Sequence, residues 1–269
     1  MSNRNSELSS RLELALAAAR EAGEVTLRYF QREDLAVELK PDASPVTAAD
    51  REAEQMLRRR ILAAFPRDAL MGEEFSDHDG TSGYRWIVDP IDGTKSFVAG
   101  VPLYGTMVGV EHQGRAVVGV IHMPALDETV YAATGEGAWY VCHGAPPRQA
   151  RVGCTARLAD GLFCTTDVRS YAEHNRRAAY ERLEAAARIT RTWGDCYGYL
   201  LVATGRAALM VDPVMNVWDA AAVQPILEEA GGTFTDWRGD PTIHGGEGIA
   251  TCGRLLDEVL AITRGFANL

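Results

Sequence analysis

The stretch Trp86-Ile87-Val88-Asp89-Pro90-Ile91-Asp92-Gly93-Thr94 decides how this chain is read. Its apolar start reads as a short buried strand, and its end carries two carboxylates around a proline. Pro90 fixes φ and removes a backbone donor, so the chain turns there. The turn brings Asp89, Asp92 and the Ile91 carbonyl to one side, three oxygens aimed at one point. Such a set suits Mg²⁺, which takes octahedral oxygen ligands at about 2.1 Å and keeps several waters. Gly93 lets the backbone approach closely. A helix starting here leaves the free amides of Gly93 and Thr94 pointing at an anion. Either aspartate alone reads more plainly as a turn or cap residue. The whole hexapeptide behind an apolar strand points to chemistry.

Upstream, residues 7–30 carry apolar residues at helical spacing, and residues 34–45 form an irregular connection with the turn formers Asp42, Ser44 and Pro45 beside Lys40. Thr47 with Asp50 three residues later resembles a capping box, opening a helix that ends at Phe65 before Pro66. Strands are expected over 68–71 and 85–88, with a polar loop over 75–83 between them. Further strands fall at 105–111, 116–122, 129–133 and 138–142, with a hairpin at Gln113-Gly114. Pro146-Pro147 suggests a break between lobes. Beyond it the pattern alternates: strand 161–165, helix 172–188, strand 188–191, helix 196–204, strand 207–211, helix 217–230. Short strands at 233–235 and 248–251 and a helix over 254–263 close the chain. The expectation is one unit over residues 1–269, with an α+β lobe of about 1–147 and an α/β lobe of about 148–269.

The chain has 269 residues, 37 acidic and 27 basic, for a formal net charge of -10. That balance argues against nucleic-acid binding. The only lysines are Lys40 and Lys95. Five scattered cysteines with no Cys-x-x-Cys pair argue against a disulfide framework or zinc ribbon and fit a reducing cytoplasm. The first apolar stretch, 14–19, is too short to span a membrane, so neither signal peptide nor anchor is expected. Glu73-Glu74 alone is an ordinary surface pair, and Asp219 alone is as much a helix cap as a site residue.

Gly72-Glu73-Glu74, then Trp86 to Thr94, then Trp218-Asp219-Ala220-Ala221-Ala222 with Glu229-Ala230-Gly231-Gly232, resemble the inositol monophosphatase superfamily in order and spacing along almost the whole chain. The resemblance implies a layered α/β/α/β/α sandwich and Mg²⁺-dependent hydrolysis of a phosphate monoester, without a covalent intermediate. It implies Glu73, Asp89 and the Ile91 carbonyl as ligands of one Mg²⁺, and Asp89, Asp92 and Asp219 as ligands of a second. A third, weaker ion is implied near Glu73. It further implies Asp50 and Thr94 as the pair orienting the attacking water, with Glu73 beside them, and the Gly93 and Thr94 amides as the phosphate cradle. A homodimer is the family's common state.

Within the superfamily, Trp193-Gly194-Asp195-Cys196-Tyr197-Gly198-Tyr199, with Val211-Asp212-Pro213 and the Asp219 motif, is similar to bacterial histidinol-phosphatases. Histidinol carries an ammonium and an imidazole, whereas inositol is a neutral polyol. Asp195 can pair with a cation beside the phosphate, and Asp212 stands where the family places an acidic substrate residue. Trp193, Tyr197 and Tyr199 can wall an imidazole, although core packing is the plainer reading of the tyrosines. Helix capping is the competing reading of Asp195, and it does not exclude substrate contact. The expected reaction is hydrolysis of L-histidinol phosphate. The alternatives are an inositol monophosphatase and a nucleotide 3′-phosphatase, the latter kept open by Arg191 and Arg206. A regulatory binding protein is a further class, disfavoured because the acidic motifs are intact.

Overall fold

The computed structural model describes residues 2–41 and 44–267; the expected turn former Asp42 lies outside the described residues. The chain runs α1 (Ser2–Leu27), β1 (Val37–Leu39), β2 (Pro45–Thr47), α2 (Ala48–Ala64), β3 (Ala69–Gly72), β4 (Tyr84–Asp92) and α3 (Thr94–Val98). An antiparallel run follows: β5 (Gly105–His112), β6 (Arg115–Met123), β7 (Glu128–Ala133), β8 (Gly137–Cys142) and β9 (Arg148–Gln149). Then come β10 (Leu162–Cys164), α4 (Val168–Glu173), α5 (Arg177–Ala186), β11 (Ile189–Arg191), α6 (Asp195–Ala203) and β12 (Leu209–Asp212). The chain ends with α7 (Val217–Ala220), α8 (Val223–Glu229), β13 (Thr233–Thr235), β14 (Gly248–Thr251) and α9 (Leu256–Thr263).

Seven strands, β3 to β9 in chain order, form one sheet; β11-β10-β12-β14-β13 form the second. The helices α1 and α2 cover the outer face of the first sheet, burying Ala15, Ala18, Ala19, Ala22, Leu57 and Ile61 against Trp86, Val108 and Val120. The helices α6, α7 and α8 lie between the sheets, sharing one core with Ile87, Met107 and Ile121 from one side and Met210, Phe234 and Ala250 from the other. The helices α4, α5 and α9 close the far face around Phe163, Tyr171 and Trp237. The result is the layered α/β/α/β/α sandwich.

Close packing in the middle layer positions the chemistry. A β-carbon on Gly109 would lie 2.6 Å from that of Ala221, and one on Gly119 would lie 2.1 Å from the Ala222 carbonyl oxygen. Only bare backbone on β5 and β6 lets the α7–α8 segment sit this near. That approach carries Asp219, on α7, toward the end of β4.

Several expectations change in the structure. The first helix ends at Leu27 rather than residue 30. The connection over 34–45 holds the β1–β2 hairpin, whose Val37 and Leu39 are exposed and so give no burial pattern in sequence. The segment Asp89–Asp92 stays in β4 with an irregular register against β5, instead of turning out of the strand. Residues 172–188 are not one helix: α4 and α5 are separated at Asn175, which adopts a left-handed φ of 58°. Helix 217–230 is likewise two pieces, α7 and α8. Beyond Pro146-Pro147, β9 still pairs with β8, so the first sheet extends two residues past the expected break. The second sheet is mixed, with β10 parallel to β11 and β12, and β14 antiparallel to β12 and β13.

Candidate active site

Asp89, Asp92 and Asp219 each offer a carboxylate oxygen to a cluster within 4.8 Å. One oxygen of each is held by backbone. Asp89 Oδ1 accepts from the Ile91 amide at 3.0 Å. Asp92 accepts from the Cys196 amide at the start of α6. Asp219 Oδ2 accepts from the Asn216 amide at 2.7 Å, as the third residue of α7. The cap and the cluster are therefore two uses of one side chain. Burial, then the neighbouring carboxylates Glu73, Asp92 and Asp219, push the Asp89 carboxyl well above its ordinary range. Burial, then Asp195 and Asp219, do the same for Asp92. Burial raises Asp219 to about 7. Three converging carboxylates with raised proton affinity are a donor set for a hard cation, and oxygen-only ligation fits Mg²⁺.

Asp50 completes the capping box of α2, whose cap is Thr47: its Oδ2 accepts from the Thr47 amide at 2.8 Å and the Thr47 hydroxyl at 2.6 Å. Burial raises its pKa. Thr94 opens α3 behind Gly93, whose φ is 92°. The Thr94 hydroxyl donates to the Ile91 carbonyl at 3.1 Å rather than reaching Asp50. Glu73 stands outside the three-aspartate cluster. Its Oε1 is 2.6 Å from Lys40 Nζ, which also holds Glu74 Oε1 at 2.7 Å. Glu73 is still near enough to raise Asp89, Asp50 and Asp219 electrostatically.

A cavity of about 240 Å³ opens beside the cluster, and Asp92 and Asp219 line it. Its far wall comes from the carboxyl ends of the parallel strands β10, β11 and β12, the usual ligand side of such a sheet. Asp195 and Asp212 both line it. Asp212 is tied, accepting from the Thr166 amide at 3.1 Å and the Tyr199 hydroxyl at 2.9 Å. The Asp195 carboxylate has no hydrogen-bond partner among the described residues, and burial raises its pKa to about 7. Its backbone amide donates to Thr166 Oγ1 at 2.9 Å. The cap of α6 is Gly194, so Asp195 is not the capping residue.

Of the three aromatics expected to wall an imidazole, Tyr199 lines the cavity. Tyr197 faces Arg206 instead, and Trp193 is exposed under Arg191. Sequence reasoning missed Asp167, Ser170 and Glu173, which complete the rim. They lie on and before α4, which was not expected to begin there; Asp167 followed by a helical pattern was the available signal. Lys95 also lines the cavity. Both lysines of the chain are thus engaged around this centre.

The sequence profile of the inositol monophosphatase family matches residues 7–266. The histidinol-phosphatase of Chlorobaculum parvum is 45% identical, covering 91% of this chain and 93% of that protein. The histidinol-phosphatase of Mycobacterium tuberculosis is 39% identical over 93% of this chain and 96% of its own length. Among solved structures, the extragenic suppressor protein SuhB of Bartonella henselae superposes with a TM-score of 0.85 at 29% identity, covering 95% of this chain and 98% of the other. The Thermotoga maritima IMPase gives 0.83 at 31% identity, over 96% and 98%. The chain belongs to the inositol monophosphatase family.

Proposed function

We propose that this phosphatase hydrolyses L-histidinol phosphate to L-histidinol and phosphate, a histidine-biosynthetic step, with Mg²⁺ as cofactor. The observation that carries the reading is the unpartnered Asp195 carboxylate, in a cavity where, besides Asp92 and Asp219, the carboxylates of Asp167, Glu173, Asp195 and Asp212 face one lysine, Lys95, among the described residues. An ester with a cationic alcohol suits that wall; a neutral polyol leaves it uncompensated. The similarity to two histidinol-phosphatases supports the same substrate.

Glu73, Asp89, the Ile91 carbonyl, Asp92 and Asp219 would hold two to three Mg²⁺. When bound, the metal neutralises phosphoryl oxygens, acidifies a water and stabilises the departing alkoxide. The protein supplies the positioning. The Gly93 and Thr94 amides, at the free end of α3, hold phosphoryl oxygens. Asp50, with one oxygen fixed by Thr47, and Thr94 orient the attacking water. Water adds to phosphorus as the bond to the alcohol oxygen breaks. Asp195 and Asp212 hold the cationic leaving group, with Asp212 aimed by Thr166 and Tyr199.

An inositol ester is the second reading, favoured by the family alone. The nucleotide 3′-phosphatase reading is weakened because Arg206 is tied to Glu128 at 2.6 Å, and neither it nor Arg191 lines the cavity. The homodimer and the cytoplasmic location stay part of this proposal. All five cysteines are unbridged, and no described helix is long and apolar enough to cross a membrane. The test is kcat/KM on histidinol phosphate and inositol 1-phosphate side by side, with Mg²⁺ and with EDTA. A preference for the inositol ester reverses the assignment.

A further inference from the structure

We propose that Lys95 and Asp167 select for substrates that carry a phosphate and an ammonium together: Lys95 takes a phosphoryl oxygen while Asp167 takes the ammonium. Lys95 Nζ lies 3.7 Å from Asp167 Oδ2 at the cavity rim, with side chains 76% and 43% exposed. An exposed pair of this kind adds little to stability, so its partners exchange at little cost. Both members are aimed by local structure. Lys95 follows Thr94 in the first turn of α3. Asp167 caps α4: its Oδ1 accepts from the Arg169 amide at 2.8 Å, which leaves Oδ2 toward Lys95. The pair bridges the end of the seven-stranded sheet's β4 to the segment after β10 in the other sheet.

Among the described residues, Lys95 is the one cation lining a cavity whose other charges are carboxylates. A phosphate ester with an ammonium a few bonds from its ester oxygen presents two opposite charges at close range. Entering between Lys95 and Asp167, it replaces one ion pair with two. A neutral-alcohol ester satisfies Lys95 but strands Asp167 beside the acidic wall, where Asp167 already raises Asp195 electrostatically. The inference rests on the ammonium-bearing substrate proposed above.

The test measures kcat and KM of Lys95→Met and Asp167→Asn on histidinol phosphate and inositol 1-phosphate. Asparagine keeps the α4 cap, and thermal unfolding checks that each variant folds. Asp167→Asn is expected to lower the ratio of the two kcat/KM values about tenfold, the scale of one charge-assisted contact. Lys95→Met is expected to raise KM for both esters, and Lys95→Arg to restore much of it. Equal losses on the two esters in Asp167→Asn, or unchanged KM values in Lys95→Met, overturn the proposal. The change in ratio is read whichever ester the unaltered enzyme prefers. A preference for the inositol ester therefore defeats the histidinol assignment separately from the role of this pair.

Discussion

The Asp195 carboxylate packs against Gly93: a β-carbon added to Gly93 would lie 3.1 Å from Asp195 Oδ2 and 3.0 Å from the Leu103 carbonyl oxygen. The turn proposed for the phosphate and the carboxylate proposed for the leaving group thus stand side by side. Gly93→Ala must hold a φ of 92° with a β-carbon and also displace Asp195. The expected result is about 1–2 kcal/mol of lost stability, read by denaturant unfolding. A fall in kcat/KM larger than that loss explains is expected with it.

Asp89→Asn keeps the shape of the side chain but removes charge from the three-aspartate cluster. The expected loss is on the order of a thousandfold in kcat, about 4 kcal/mol of transition-state stabilisation. Stability without metal should hold or rise, since Asp89 is buried among like charges. Full Mg²⁺-dependent turnover in this variant would contradict the assigned cluster.

The metal-free protein should lose stability as pH rises. Asp219 goes from an ordinary 3.8 to about 7 in the fold. Between those values the folded state holds a proton that the unfolded state has released, so folding becomes less favourable as pH rises through the window. Asp89 and Asp92 shift in the same direction. Mg²⁺ competes with those protons. Its thermal stabilisation should therefore be larger near pH 8 than near about pH 5. Differential scanning calorimetry with Mg²⁺ or EDTA reads this; a Mg²⁺ shift independent of pH counts against the cluster as the binding site.

Asp195→Ala should penalise the cationic ester selectively, about tenfold or more in kcat/KM. Inositol 1-phosphate should lose much less, because its alcohol brings no charge to Asp195. Equal losses on both esters would remove Asp195 from specificity.

The carboxylate cluster proposed for metal has a local sequence signal: an apolar strand, Asp89, Pro90, Asp92 and Gly93 stand within a few residues. The Thr47–Asp50 start of α2 was readable for the same reason. The rim formed by Asp167, Ser170 and Glu173 was not. Its residues sit on and just before α4, a short helix that ends before Asn175 where the pattern reads as one later helix. The engagement of Glu73 and Glu74 by Lys40 was equally hidden, since it depends on an exposed hairpin bringing residue 40 across to residues 73 and 74. Of the aromatics, Tyr199 lines the cavity and Trp193 does not. Tyr199 lies within α6, whereas Trp193 lies before its start at Asp195 and is exposed.

The carboxylates proposed for metal sit on β4 and α7, whereas those proposed for the leaving group follow β10, β11 and β12 of the other sheet. The two halves meet at the start of α6, where Asp195 packs against Gly93 and the Cys196 amide holds Asp92. The loop after β10 can be rewritten for a new alcohol, whereas the one after β11 also carries Cys196, whose amide holds Asp92. One ancestral phosphatase can in this way give rise to descendants that share a reaction and differ in what they release.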